Sequence, residues 1–374
     1  MNITRKYIGY GILIISAIFL GAFHLAWTAT ASQTAKPEDE NYISYLGATW
    51  GTDGDTVYCI KQILAKTKTH DMLGNVQTRG CRLWFCKMKW DGSEKEEIGE
   101  LWPDQGAFAD TQSGPIWMEI NAATSNIAFS VEYGNAASFG LWIMGLDGRN
   151  LHRPFPLVWN AQERWSPVHP SWNPDGTKFV FEEIERTTPQ AKLRRLAIYV
   201  LQNKERRQLT DGSRDRHPVW SPKGDWIVYT HYLRDDRRIW LIRPDGTEQK
   251  PVVDEKGKTM FGWWPSWNSD GTKVSFDGDY ILRIASISGG NVQKIDPLYI
   301  IGERGPWLLG GHHWGGRGWL LCAGRNIVFL DATTLKARMI GCGGIVSAEV
   351  SGATSEVSCW GVTPTDLQGK KRDD

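Results

Sequence analysis

Apolar residues arrive in short bursts separated by polar turns, and the bursts share one layout. "KFVFEE" at 178–183 and "WIVYTH" at 226–231 each follow a tight turn, and each turn follows a short segment ending in tryptophan. Bursts of this length, bounded by Asn, Asp, Gly and Pro, predict strands and not helices. In Asn173-Pro174-Asp175-Gly176 the proline fixes φ and the glycine supplies a positive φ, so the chain reverses between antiparallel strands. A third strand follows in every unit, as in "RLWFCKM", "GLWIMGL", "LAIYVLQ", "RRIWLIR", "YILRIAS" and "NIVFLDA". Several units then turn again, at Asp91-Gly92, Asp147-Gly148, Asp245-Gly246 or Gly289-Gly290, into a polar fourth strand.

The layout recurs. "HPSWNPDGTKFVF" at 169–181 returns as "HPVWSPKGDWIVY" at 217–229 and "WPSWNSDGTKVSF" at 264–276. Taking Trp50, Trp117, Trp172, Trp220, Trp267 and Trp314 as the marker of each unit gives separations of 67, 55, 48, 47 and 47 residues. A period near 47 describes an array of units, each too small to bury its own apolar face. Four antiparallel strands per unit predict an all-β fold, a β-propeller of six four-stranded blades over residues 43–362. A further hairpin, "GGIVSAEVSGATSEVSCWGV", is expected to be either a partial seventh blade or an appendage. Residues 363–374 read as a polar tail.

Phrases of the type P-x-W-S-P-D-G followed by an apolar strand resemble the WD-repeat-like propeller units of the TolB family, which also occur in dipeptidyl peptidase-like and oligopeptidase-like proteins. "ATWGTDGDTVYCI", "GPIWMEINAATSNIAFS" and "GHHWGGRGWLLC" are weaker copies. The resemblance implies an envelope scaffold that binds a partner. It covers the repeat, without the separate domain that precedes the propeller in TolB.

Composition narrows the partners. With 43 Lys+Arg against 42 Asp+Glu, no basic field draws phosphate backbones, so nucleic acid is not an expected partner. Arg5 and Lys6 precede an apolar run from Ile8 to Trp27 and then Ala29-Thr30-Ala31, the layout of an export signal over residues 1–31, with an uncleaved membrane anchor as the alternative. Residues 32–42 would link it to the first blade. Export to a periplasmic or extracellular space is therefore expected, with membrane contact only through the anchor. Of the six cysteines, Cys59 and Cys322 fall where sibling blades place a core aromatic and read as buried small hydrophobes, while Cys59 could also pair with Cys86 on the next strand.

Candidate chemistry gathers near one mouth of the ring. His169 and His217 stand three residues before the marker tryptophan, and His312 and His313 lie close to the equivalent place. Imidazoles converging on a channel could hold a divalent cation, with His169, His217 and His313 as ligands, although no cofactor is the first expectation. Arg164, Arg216, Glu183, His231, Asp277 and Trp264 complete the candidate ligand-binding set. Glu182, Glu183, Asp277 and Asp279, at the ends of second strands, read first as solvated rim charges. The leading expectation is a non-enzymatic propeller that binds an envelope protein or glycan, with no catalytic residues. The alternative is a metal-dependent enzyme of the oligogalacturonate-lyase type acting on uronate polysaccharide. Hydrolysis of the propeller-peptidase kind would need a G-x-S-x-G elbow, which the sequence lacks.

Overall fold

The computed structural model describes residues 42–64, 68–70, 76–78, 81–102, 116–131, 140–154, 165–186, 192–211, 214–233, 236–279, 281–295, 312–315, 319–323, 327–334, 336–341, 344–350 and 357–362. The N-terminal segment 1–31, most of the linker and the tail 363–374 lie outside the described residues. Among the described residues every regular element is a strand, and no helix is long and apolar enough to cross a membrane.

Apart from a two-stranded ribbon, Lys68–His70 with Val76–Thr78, inserted between the second and third strands of blade 1, the described strands form six antiparallel blades in chain order, arranged as a propeller ring. Blade 1 comprises Tyr42–Trp50, Thr56–Leu64, Cys81–Lys89 and Glu96–Leu101. Blade 3 comprises Trp165–Trp172, Lys178–Arg186, Lys192–Val200 and Glu205–Gln208. Blades 4 and 5 repeat the four-strand meander, starting at Arg216–Trp220 and Trp263–Trp267.

Two blades depart from the expected four strands. Blade 2 has three, Ile116–Asn121, Asn126–Val131 and Gly140–Gly145, and its fourth is reduced to one bridge between Ile143 and His152. Blade 6 has six. Its four repeat strands run from His313–Trp314 to Ala337–Gly341, and the C-terminal hairpin of Gly344–Val350 and Val357–Val362 adds a fifth and a sixth. That hairpin pairs onto Ala337–Gly341, so it extends the sixth sheet and begins no seventh blade. The open edge left by the fourth strand is the simplest partner for a hairpin with no third strand of its own.

Packing between blades explains why the ring holds. The larger apolar clusters join neighbours: Ile60, Phe85, Met118 and Phe129 link blades 1 and 2, and Phe179, Phe181, Ala128 and Ile143 link blades 2 and 3. Among the described residues, the seam between the last and first blades is packed by side chains. Phe329 and Leu321 of blade 6 pack against Ala48, Val57 and Cys59, with Trp50 edge-on to Phe329 at 5.4 Å. Among the described residues each of these two blades is built from contiguous sequence, with no strand exchanged across the seam.

The marker tryptophans are interblade clamps. Trp172 donates its indole N–H to the Glu119 carbonyl at 3.2 Å, and Trp267 donates to the Val219 carbonyl at 3.0 Å. Burying a ring of this size contributes about 2–3 kcal/mol. The turns lock in the same way, since Asn173 Oδ1 accepts from the Lys178 amide and Asp175 Oδ1 from the Thr177 amide. Gly176, at φ +71°, lies against the Asn121 amide of blade 2, which donates to the Gly176 carbonyl at 2.8 Å. A Cβ at this place would collide with the Asn121 side chain and sit in the left-handed region. Gly176→Ala is therefore expected to destabilise the ring by about 1–3 kcal/mol, read as a lowered urea midpoint with unchanged slope.

Cys59 and Cys86 lie directly opposite one another on adjacent strands, and both are buried free thiols. The first reading of Cys59, a buried small hydrophobe, is the one observed, and the alternative pairing with Cys86 does not form. Directly opposed strand positions hold Cβ atoms near or beyond the reach of an unstrained disulfide. Cys59 is wholly buried in the seam, as a small core residue. The Cys322 side chain lies outside the described residues.

Candidate functional site in the central channel

The innermost strand of blades 3, 4 and 5 carries the same irregularity. Pairing with the second strand shifts between Val168 and Ser171, between Arg216 and Val219, and between Trp263 and Ser266. Within each shift one residue takes a left-handed backbone: His169 at φ +52°, His217 at +51° and Trp264 at +52°. All three precede a proline, which strongly limits their backbone choices. A bulge at this point releases the residue's amide from its own sheet. The released amide turns to the preceding blade: His169 N–H donates to Ser130 Oγ at 2.9 Å, and His217 N–H to Glu182 Oε2 at 3.2 Å.

The bulges bring these side chains together. The His217 ring stacks on Trp264 with centroids 3.8 Å apart, and His169 stands edge-on to His217 at 4.7 Å and to Trp264 at 5.3 Å. Trp117 stacks on Trp264 at 5.9 Å, meets His313 at 4.8 Å, and donates its N–H to the Pro170 carbonyl at 3.1 Å. Trp117 thus belongs to this layer and is not the blade 2 clamp. Pairing of Ile120 with Ile127 matches that of Trp172 with Phe179, so Ile120 fills the marker position and Trp117 lies three residues before it, in the histidine position. The tryptophan that marks blade 2 in the sequence is therefore offset by one bulge position from its siblings.

Beneath the layer sits a buried charge network. Glu182 is 0% exposed; its Oε2 meets His169 Nδ1 at 3.0 Å and its Oε1 accepts from the Arg194 guanidinium. Burial alone would raise the Glu182 carboxyl, but the Arg194 charge and the flanking histidines hold it well below the usual carboxylate range. Burial and nearby positive charge push His217 far below an ordinary imidazole, so it is neutral. Desolvation, with His312 adjacent, takes His313 down to about 3.

The other candidates are dispersed. Glu183 is buried and pairs with Arg195 at 2.9 Å and with Arg206, on the outer strands of blade 3. His231 Nδ1 meets Asp215 Oδ1 at 2.6 Å, and Arg216 lies over the Tyr232 ring at 4.6 Å. Asp277 is 0% exposed at the end of Lys273–Asp277. Arg164 lies outside the described residues. Glu182, Glu183 and Asp277 are thus buried and not solvated rim charges: the second strand of blade 3 continues to Arg186, and Asp277 closes its strand within the packed interior. Glu182 occupies the register held by Ser130, Thr230 and Asp277 in other blades, a correspondence visible once the copies are aligned.

His169, Glu182 and His217 present donor atoms within 4.8 Å of one another. Two imidazoles and a carboxylate are a fitting donor set for a divalent ion. Loading one here would require the carboxylate to give up bonds to His169 and to the His217 amide while Arg194 remains beside it.

This repeat has counterparts among known proteins. A segment of 116 residues is 29% identical to a TolB homolog from Chlorobium luteolum, covering 31% of this chain and 24% of that protein. The propeller is TolB-like. A longer segment of 208 residues is 25% identical to an uncharacterized protein of Agrobacterium fabrum, covering 51% of this chain and 64% of the relative. The match spans less than two thirds of either relative's length. A puromycin-hydrolyzing peptidase from Mycobacterium tuberculosis superposes with a TM-score of 0.50 at 15% identity, over 85% of this chain and 53% of that one, a likeness of fold. No family model matches the chain.

Proposed function

We propose that this TolB-like propeller is an exported, non-enzymatic binding protein that holds an envelope protein or glycan on the face carrying its second-to-third-strand loops. The observation that supports this most is the condition of the channel histidines. His169 and His217 are 2% and 5% exposed: the His169 ring bonds Glu182, and the His217 ring stacks on Trp264 while its backbone amide bonds Glu182, so neither imidazole is solvated. The rim offers recognition chemistry instead. Leu193 and Leu233, 44% and 52% exposed, flank the loops of adjacent blades 3 and 4 on the same face. Exposed apolar side chains among charges suit a partner surface. Export rests on the N-terminal layout of positive charge, apolar run and small residues.

The test is capture of envelope proteins and of a glycan panel by the purified chain, beside Leu193→Ser/Leu233→Ser. A ligand retained by the wild type and lost by the double variant at equal thermal stability is expected. The lyase alternative is assayed in the same preparation by metal content and by the absorbance of unsaturated uronate. Stoichiometric metal with product formation would overturn the binding reading, as would a ligand held equally by both proteins.

A further inference from the structure

The opposite end of the channel, where the first-to-second-strand turns converge, contains a cavity of about 280 Å³. Five blades each contribute a tryptophan to its wall: Trp50, Trp172, Trp220, Trp267 and Trp314. The indole N–H groups of Trp172, Trp220, Trp267 and Trp314 are committed to acceptors at 2.7–3.2 Å, so these rings offer the cavity carbon surface and π-electrons. The lining holds two titratable residues, Glu119 and His313, and neither lysine nor arginine.

Glu119 is the unexplained feature. It lies on Ile116–Asn121, one residue before the marker position, in the place that Ser171, Val219 and Ser266 fill in blades 3 to 5. The Ser171 hydroxyl and the Trp172 amide bond to its carboxyl, yet Oε2 is buried without a hydrogen-bond partner. A buried carboxyl oxygen without a partner is costly in a folded protein. Its neighbour His313 is neutral and brings no compensating charge.

We infer that this mouth is a binding pocket for a small organic cation, a primary or quaternary ammonium group that sits among the tryptophans and takes Glu119 Oε2 as its counter-ion. Aromatic walls with one carboxylate are the recurring solution for alkylated ammonium ions, whose charge is attracted by ring faces and whose methyl groups are poorly hydrated. The volume lies at the small end of ligand pockets, which suits the tip of a side chain or an amine-bearing metabolite. Without the cation, burial lifts the Glu119 carboxyl to about 8, so at neutral pH it keeps its proton and the cation must displace it.

The experiment is calorimetric and fluorescence titration of the full chain with tetramethylammonium and n-butylammonium, beside n-butanol as the neutral control, from pH 6.5 to 9.5. Among the described residues that line the cavity, the one other titratable group is His313, which stays neutral throughout this interval. Ammonium binding is expected to tighten about tenfold per pH unit below pH 8, with one proton released per ion bound there, and to level off above it with no proton released. Glu119→Gln should weaken ammonium binding at pH 9 at least tenfold and remove the pH dependence. Butanol binding as well as the ammonium ions, a flat pH profile in the wild type, or no binding of either ion would overturn the inference. The wild-type profile decides even if the variant folds poorly. This site is independent of the loop face: Leu193→Ser/Leu233→Ser should leave ammonium binding unchanged, and Glu119→Gln should leave partner capture unchanged.

Discussion

Replacing Arg194 by methionine is expected to destabilise the protein by about 3–5 kcal/mol at pH 7, the usual effect of stripping one partner from a buried ion pair. Glu182 is fully buried, and the guanidinium of Arg194 is its principal positive neighbour. Without Arg194 the carboxylate either stays charged in a dry interior or takes up a proton, and both lower stability. In the wild type, the depressed Glu182 value means that its stabilisation is complete above the ordinary carboxylate range and is lost as pH falls through the folded value. In Arg194→Met the sign reverses, so the deficit should be largest at neutral pH and shrink toward pH 5. Urea denaturation at pH 5 and pH 7 measures both. The double variant Glu182→Gln/Arg194→Met should recover much of the loss, since no charge is then left buried without its partner. A single variant with wild-type stability would mean that water reaches Glu182 and that the layer is open.

The second large effect concerns Glu119. A carboxyl raised from 4.5 to about 8 by burial binds a proton in the folded state that the unfolded chain has already released. Stability therefore falls as pH rises between these values, by up to about 1.4 kcal/mol per unit. Relaxation and partial solvation will reduce the sum, and a net loss of about 2–4 kcal/mol is a reasonable magnitude for such a site. Glu119→Gln keeps an oxygen for Ser171 and the Trp172 amide and removes the titration. The variant should match the wild type near pH 5 and exceed it in stability at pH 9, measured by thermal melts across that interval. A variant less stable than the wild type at pH 9 would show that Glu119 is ionised and well solvated.

Much of this fold was legible in the sequence, for a physical reason. A four-stranded blade must turn three times and cover its neighbour with one large ring, so a Gly-ended turn, as in Asn173-Pro174-Asp175-Gly176, and the closing tryptophan recur at a spacing of 47 or 48 in the best-kept copies. Blade 2 misled because its tryptophan belongs to the channel layer, three residues before the clamp, while Ile120 holds the clamp position with no ring to announce it. The convergence of His169, His217 and Trp264 could be suspected from their shared place ahead of the marker. The left-handed bulge that aims them together could not, since a proline after the residue is no sign of a positive φ. Glu182 looked like a rim charge because glutamate at a strand end usually is one, and only its register against Ser130, Thr230 and Asp277 betrays an inward place. Glu119 carried no sequence signal: one carboxyl in a short strand becomes notable only when five blades close around it.

Across the channel lies a layer of packed imidazole and indole rings in which Trp117, His169 and His217 are buried and Trp264 and His313 are half-buried. This packing is tested most directly by an NMR titration of the histidine ring nitrogens in the full chain. His217 and His313 should remain neutral down to pH 5, with His217 showing slow exchange with solvent. If both instead took up protons near pH 6.5, like imidazoles in water, the channel would be open and the layer described here would not exist.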